Sequence, residues 1–175
     1  MKKRTRAREL TLQFLYQLDL RGDELHAEAG AWLRSEERDS ETLRFATRLV
    51  EGVWDNWDEI ERTVQAVAQN WNIARMAVID RNVLRLGTFE LLHCPDIPPK
   101  VAVNEAIELG KRYSTANSGA FINGILDKIM NRKPASKPVE AAQRDEQAAR
   151  VAPQPEGEAE ALPEPDERPE AAQRG

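Results

Sequence analysis

Five cationic side chains lie within the first eight residues of this chain: Lys2, Lys3, Arg4, Arg6 and Arg8. Cations at this density are typical of nucleic-acid binding, because pairing with phosphates releases condensed counterions. A frayed, solvated terminus is the alternative interpretation. Cations at a helix N-terminus oppose the helix dipole and slightly destabilise the helix there. That unfavourable placement favours a role in binding.

Two aromatic residues, Tyr113 and Phe121, flank the loop at residues 114–118. Aromatic rings beside a loop can stack on unpaired bases, which is a common way to recognise single-stranded RNA. The helical periodicity by itself favours core packing for both rings, and Phe121 lies near the apolar stripe of its helix. From the residues alone, both interpretations remain open.

The sequence carries no pattern typical of a catalytic or metal site. His26 and His93 are far apart, with no cysteine or paired carboxylates at metal-ligand spacing. Neither a Gly-rich phosphate loop nor a nucleophile elbow is present. Glu105 and Glu108 stand one turn apart, a spacing that on an amphipathic helix usually marks a solvated face. We therefore expect no catalytic residue, no metal and no cofactor.

The charge distribution divides the chain into two parts. Of its 25 basic and 30 acidic residues, five basic and ten acidic ones lie in residues 134–175, which leaves 20 of each sign in residues 1–133. The acidic balance therefore does not argue against a nucleic-acid-binding domain at residues 1–133. Residues 134–175 also hold seven of the ten prolines and no aromatic residue. We expect a disordered acidic tail there, because such a composition buries too little apolar surface to offset its ordering entropy.

The cysteine content and the hydropathy pattern indicate a cytoplasmic protein. Cys94 is the only cysteine, which excludes an internal disulfide and fits a reducing compartment. No apolar run approaches the roughly 20 residues of a membrane span. Polar residues interrupt what would be the apolar region of an N-terminal signal peptide, beginning at Glu9 and Gln13. We expect no membrane association.

The elements that must position these residues are helices. The first has an apolar face and an opposite polar surface, the latter comprising Arg6, Glu9, Gln13, Tyr16 and Gln17. A short helix is predicted over 25–33, a capped one from Asp39 or Ser40, another from Trp57 to Trp71, and an apolar central helix over 75–94. Two more follow from Pro99 and around 120–129. The spacing of the four tryptophans, Trp32, Trp54, Trp57 and Trp71, predicts that they fill the core. The pattern predicts an all-α fold of about seven helices.

Several strings of the chain resemble one known family in order and spacing. PKVAVNEAIELGKRYS at residues 99–114 and AFINGILDKI at residues 120–129 resemble the signature of the NusB family. The N-terminal KKRTRARELTLQFLYQLDL is similar to that family's arginine-rich first helix, and DRNVLRL at residues 80–86 to its central helix. The resemblance covers roughly residues 4–131. It implies two small packed bundles of three and four helices.

The resemblance also implies a function and a set of site residues. NusB proteins assemble on single-stranded boxA leader RNA with NusE, a ribosomal protein, and with other Nus factors and RNA polymerase, so a non-enzymatic antitermination factor is expected. An acidic residue at the place of Asp80 contributes to NusE docking in the family, a role we extend to Arg81. Asn117 stands where relatives can carry aspartate, and an uncharged residue removes repulsion from phosphate. The RNA-binding residues expected are Lys2, Lys3, Arg4, Arg6, Arg8, Gln13, Tyr16, Tyr113, Asn117 and Phe121.

Two alternatives belong to other functional classes. The same helical domain occurs fused to RNA cytosine methyltransferases, but those enzymes need a further catalytic domain with a Gly-rich cofactor loop and a reactive cysteine. Here only the predicted tail follows Lys133, which argues against that class. The other alternative is a homodimeric protein–protein scaffold that hides its basic surface, and the sequence does not decide against it.

Overall fold

The computed structural model describes residues 2–132, and within that range the chain forms helices and no strand. Short 3-10 helices lie at Asp23–Glu28 and Ile73–Arg75. The predicted all-α fold with seven helices is confirmed. The predicted disordered tail at 134–175 lies outside the described residues, so the domain boundary near residue 133 stays a prediction. The α-helices are α1 (Lys2–Arg21), α2 (Ala29–Glu36), α3 (Ser40–Asp55), α4 (Trp57–Val67), α5 (Val78–His93), α6 (Pro99–Tyr113) and α7 (Ser118–Met130).

Local signals in the sequence set several helix ends. Asp39 caps α3, because its Oδ2 accepts a hydrogen bond of 2.9 Å from the backbone N–H of Thr42. Pro99 occupies the first turn of α6, where a missing N–H costs nothing. Gly22 ends α1 with a φ of 99°, a conformation that favours glycine. The segment predicted as one helix over 25–33 divides instead between the 3-10 helix at Asp23–Glu28 and α2.

Helix α5 is the centre of the molecule. Its residues from Asn82 to Glu90 are buried on every side, and α1, α3, α4, α6 and α7 all pack against it. Helices α1–α3 form one group and α4–α7 the other, and α1 and α3 join the two groups by packing on α5. The predicted arrangement of two small bundles is confirmed. None of the described helices is both long enough and apolar enough to cross a membrane.

A buried charge network ties the end of α1 to α5. The Asp19 carboxylate accepts hydrogen bonds from Arg81 at 2.6 and 3.0 Å, from Arg85 at 2.8 Å and from Asn82 at 3.0 Å. Burial raises the pKa of Asp19, but the hydrogen bonds and charges of the two arginines outweigh that effect and hold it below its ordinary value. The network fixes the first turns of α5, which carry Asp80 and Arg81.

Candidate nucleic-acid interface

The first turns of α1 present exposed cations that are matched by carboxylates of neighbouring elements. Lys2 is exposed. The Nζ of Lys3 lies 3.1 Å from Oδ1 of Asp39 and 2.9 Å from Oε2 of Glu41, both at the start of α3. These contacts raise the pKa of Lys3 above its ordinary value, the hydrogen bond to Glu41 having the largest effect. Lys3 is therefore charged, and a phosphate would compete with two carboxylates for it.

Arg4 and Arg6 have looser partners. The Nη2 of Arg4 is 3.9 Å from Oδ2 of Asp96, and its guanidinium lies over the Phe45 ring. Arg6 lies 3.6 Å from a carboxylate oxygen of Glu9 and 3.7 Å from one of Glu37. Distances beyond hydrogen-bonding range and substantial exposure mean that these pairs contribute little and give way readily. Arg4 and Arg6 are the cations best placed to turn to a phosphate.

Arg8 differs from the sequence expectation, because it lies inside the protein. It is only 2% exposed, and its guanidinium donates to Glu90 of α5 at 2.7 and 2.9 Å. A second carboxylate oxygen, from Glu105 of α6, is 3.8 Å away. Burial raises the pKa of Glu90, against the opposing effect of the Arg8 charge. Exposing Arg8 to phosphate would leave Glu90 buried and unpaired, so the geometry assigns Arg8 to helix packing.

A groove between α1, α5 and α6 collects the next group of predicted residues. Gln13, Tyr16 and Tyr113 line it with Leu12, Gln17 and Ile79, around a volume of about 360 Å³. Tyr16 is 39% exposed, so its ring is accessible from solvent. Tyr113 is half-buried and packs partly against the core. We call this depression the tyrosine groove.

Charged contacts beside the tyrosine groove fix the end of α6. Arg112 lies 5.4 Å from the centre of the Tyr113 ring and also forms an ion pair with Glu9 of α1. The sequence predicts Glu9 on an open polar surface, but Glu9 is buried and forms ion pairs with Arg6 and Arg112. The contact explains how residues a hundred positions apart come to share one surface.

A second groove brings together Asp80, Asn117 and Phe121. These residues line a depression of about 360 Å³ with Trp71, Arg75 and other residues of the neighbouring turns. Phe121 is half-buried and Asn117 is exposed. One carboxylate oxygen of Asp80, Oδ1, is buried and has no hydrogen-bond partner among the described residues. We call this depression the phenylalanine groove.

A hydrogen-bonded turn shapes the loop between α6 and α7, on the wall of the phenylalanine groove. The Ser118 hydroxyl accepts from the backbone N–H of Thr115 at 3.2 Å, lies 3.0 Å from the Thr115 hydroxyl, and donates to the Ser114 hydroxyl at 2.9 Å. Ser118 is buried whereas Thr115 is exposed. The buried Ser118 side chain therefore fixes the loop from the protein side, and the outer residues of the loop, including Asn117, are exposed to solvent.

Trp71 is a surface residue that the sequence pattern assigned wrongly to the core. It is 59% exposed, whereas the other three tryptophans are partly buried against the core. Its ring meets the Phe121 ring edge-on, with centroids 5.5 Å apart. Helix α4 ends at Val67 rather than continuing to Trp71, so the indole leaves the apolar stripe. The flanking Asn70 and Asn72 were the signal that could have marked it as a loop residue.

Asp80 and Arg81 are adjacent but have different surroundings. Asp80 faces the phenylalanine groove, whereas Arg81 is committed to Asp19 and also donates to the carbonyl of Ala74 at 3.1 Å. Its guanidinium is mostly buried by these contacts. Of the two residues expected to dock a protein partner, Asp80 is therefore the more available.

The described residues that line the grooves include aromatic rings, amides and cations. Across residues 2–132, no cluster of three or more histidine, cysteine, aspartate or glutamate side chains is arranged to hold a metal ion. Ile79 of the tyrosine groove and Asp80 of the phenylalanine groove are consecutive residues of α5. Rings and amides that line surface depressions of this kind are suited to an extended, unpaired polynucleotide.

Comparisons with known proteins agree on one family. The family model described as "NusB family" matches residues 5–131. The transcription antitermination protein NusB of Myxococcus xanthus (strain DK1622) is 48% identical over 134 residues, which covers 74% of this chain and 95% of that protein.

Solved structures share the fold. The chain is similar to T. maritima NusB with a TM-score of 0.68 and 39% identity, covering 74% of this chain and 91% of that one. It is also similar to a chain in a crystal structure of antitermination factors NusB and NusE in complex with dsRNA, with a TM-score of 0.67 and 27% identity, covering 74% and 97% of the two chains.

Proposed function

This chain belongs to the NusB family, and we propose that it is a non-enzymatic transcription antitermination factor that binds boxA-like single-stranded leader RNA together with NusE. It acts in the cytoplasm on elongating RNA polymerase with other Nus factors, notably at ribosomal RNA operons. Antitermination is the function of the relative from Myxococcus xanthus, and a related structure holds NusB, NusE and RNA.

The observation that carries the proposal is the meeting of distant residues on one surface. Gln13 and Tyr16 come from α1 and Tyr113 from α6, yet all three line the tyrosine groove. Asn117 and Phe121 line the phenylalanine groove. We assign base contacts to these two grooves and phosphate contacts to Lys2, Lys3, Arg4 and Arg6, because phosphate contacts give affinity while base contacts give selectivity.

The test is RNA affinity as a function of salt, measured on the full chain with labelled boxA-like RNA. About three to four phosphate contacts predict a slope of roughly −2 to −3 for log affinity against log salt, since single strands give about −0.7 per contact. Arg6→Ala should reduce the slope by about 0.7 and weaken all sequences alike. Arg34→Ala, an exposed arginine of α2, is the control and should change neither. A salt-independent affinity would contradict the phosphate assignment.

Phe121→Ala tests the base contacts separately. It should cost about 1–3 kcal/mol of RNA binding with the salt slope unchanged, because one stacked base is lost and no phosphate contact is removed. Arg8→Ala is unsuitable for this comparison, since it breaks a buried ion pair and would destabilise the fold. An unchanged affinity on Phe121→Ala, or a loss of affinity accompanied by a smaller salt slope, would argue against a stacked base at Phe121.

Asp80 is the residue we propose for NusE docking. Asp80→Lys should weaken binding of purified NusE while the circular dichroism spectrum stays helical, because Asp80 lines the phenylalanine groove. Asp55→Lys, an exposed position at the end of α3, makes the same charge change elsewhere and should leave NusE binding intact. A loss of helical structure in Asp80→Lys would show that the carboxylate is needed by the fold instead.

The homodimer alternative predicts a different sedimentation result for the same purified protein. Sedimentation with and without RNA distinguishes the two, because a dimer that hides the basic surface must dissociate when RNA binds. A single monomeric species that binds RNA would exclude this alternative.

A further inference from the structure

The segment between α4 and α5 holds Trp71 at the surface through its backbone. The Gln65 side chain donates to the carbonyls of Trp71 at 2.7 Å and Ala68 at 3.2 Å, and it accepts from the N–H of Ile73 at 3.1 Å. The Asn72 carboxamide then caps the following 3-10 helix, accepting from the N–H of Ala74 at 2.9 Å. The side chain of Gln65 thus bridges three backbone groups of this turn. These hydrogen bonds position the backbone of Trp71, and the edge-on contact with Phe121 orients its largely exposed indole, which is the arrangement of a preorganised contact residue.

Trp71 and Phe121 together form a ridge with a depression on each side. The phenylalanine groove lies on one side, and a depression of about 520 Å³ lies on the other, lined also by Gln69, Asn70 and Lys128. The edge-on contact covers one part of the indole and leaves the rest of a side chain that is 59% exposed open to solvent. We call the second depression the tryptophan groove.

The surroundings of the ridge favour a nucleic acid over a protein surface. Arg75 lines the phenylalanine groove and Lys128 the tryptophan groove, and both are exposed. Neither has a carboxylate within 4 Å among the residues that the structure describes, unlike Lys3, Arg4 and Arg6 of α1. The Asp80 carboxylate also lines the phenylalanine groove, so the anion and the two cations together make the surroundings of the ridge charged. Aromatic faces interleaved with unpaired cations and amides suit single-stranded RNA, whereas the centres of protein interfaces are depleted of charge.

We propose that Trp71 is a second base-stacking surface, which binds an unpaired nucleobase of the same RNA strand next to the base held at Phe121, with Arg75 and Lys128 at the flanking phosphates. This inference rests on the RNA binding proposed above. The phenylalanine groove shares Phe121 and Trp71 with the tryptophan groove, so one strand can pass from Phe121 on to Trp71.

The test uses the fluorescence of Trp71 and the affinity for a labelled boxA-like RNA. A stacked base quenches indole emission, so unlabelled RNA should quench the full chain. Trp71→Phe should keep most of the affinity, because phenylalanine still stacks, but should lose the quenching, since the other tryptophans are packed against the core. Trp71→Ala should weaken RNA binding about 5- to 100-fold with the salt slope unchanged. Leu92→Ala, which removes another exposed apolar side chain, should change neither.

Replacing RNA nucleotides one at a time by abasic residues locates the two bases. One abasic position should abolish the effect of Phe121→Ala, and a neighbouring position should abolish that of Trp71→Ala. RNA binding that depends on Phe121 but not on Trp71 would overturn this inference and leave the proposed function intact. No binding by the unaltered chain would overturn both. Loss of NusE binding in Trp71→Ala, with RNA affinity unchanged, would make the ridge a protein contact and overturn the inference as well.

Discussion

At the scale of single residues, identical side chains have opposite roles according to the face of the helix they occupy. Arg6 is exposed to solvent with loose partners, whereas Arg8, two positions later, is buried against Glu90. The sequence indicated the density of cations but not this division, because the partner of Arg8 lies on a distant helix. The prediction that Trp71 fills the core was wrong for a different reason. The spacing of Trp71 fits the apolar stripe of α4, but α4 already ends at Val67.

The thiol of Cys94 should be inert in the native protein. The residue is 1% exposed, and burial raises the pKa of the thiol to about 11, so almost no thiolate exists at pH 8. We expect iodoacetamide to label Cys94 only after unfolding in guanidinium chloride, as mass spectrometry would measure. Labelling of the native protein at the rate of a free cysteine would show that the end of α5 opens readily.

Two aspartates at the surface should remain ionised in unusually acidic solution. Hydrogen bonds from Thr42 and then Lys3 lower the pKa of Asp39 to about 2, and the Arg48 guanidinium does the same for Asp96. A lowered pKa means that the stabilisation is present above the unfolded value of about 3.8 and is lost as the pH falls through about 2. Carboxyl carbon chemical shifts measured between pH 5 and pH 1.5 would check this. Titration of either group near pH 4 would contradict the contact concerned.

At the scale of helices, the sequence predicted the existence of the elements well and their close approaches poorly. Asp39 and Pro99 mark helix starts by local chemistry, and the apolar stretch at 75–94 marked the central helix. Nothing local indicates that α3 and α5 approach closely at Gly52, where a Cβ atom would lie 2.0 Å from Cζ of Phe89. That contact depends on a helix more than thirty residues away.

Gly52→Ala should therefore destabilise the protein, although alanine is the better helix former. The methyl group collides with a buried ring in a close-packed interface, and overpacking of this kind costs typically about 1–3 kcal/mol. Gly124→Ala is the matched control, since a Cβ there meets nothing within 4 Å, and it should stabilise α7 by up to about 1 kcal/mol. Urea unfolding of the two variants measures both. A neutral Gly52→Ala would mean that Phe89 moves aside freely.

At the scale of the whole molecule, the electrostatics of the surface proposed to bind RNA are balanced rather than strongly positive. Lys3, Arg4 and Arg6 each have a carboxylate within 4 Å, and residues 1–133 carry equal numbers of basic and acidic residues. If RNA binds these cations as proposed, its phosphates must displace the carboxylates, and the phosphate attraction is reduced accordingly. We expect most of the selectivity to come from the stacking residues in the grooves, with the partner protein supplying further affinity.

Removing residues 134–175 tests how the acidic segment affects this balance. The segment carries ten acidic and five basic residues, so its removal makes the net charge less negative by five and should leave RNA affinity unchanged or raise it at low salt. Its composition supplies few apolar anchors, so the melting temperature should stay nearly constant. A matched full-length variant with five of the acidic residues changed to glutamine separates charge from length, and should match the truncation in RNA affinity. A large fall in melting temperature on truncation, measured by circular dichroism, would show that the segment packs against the helices.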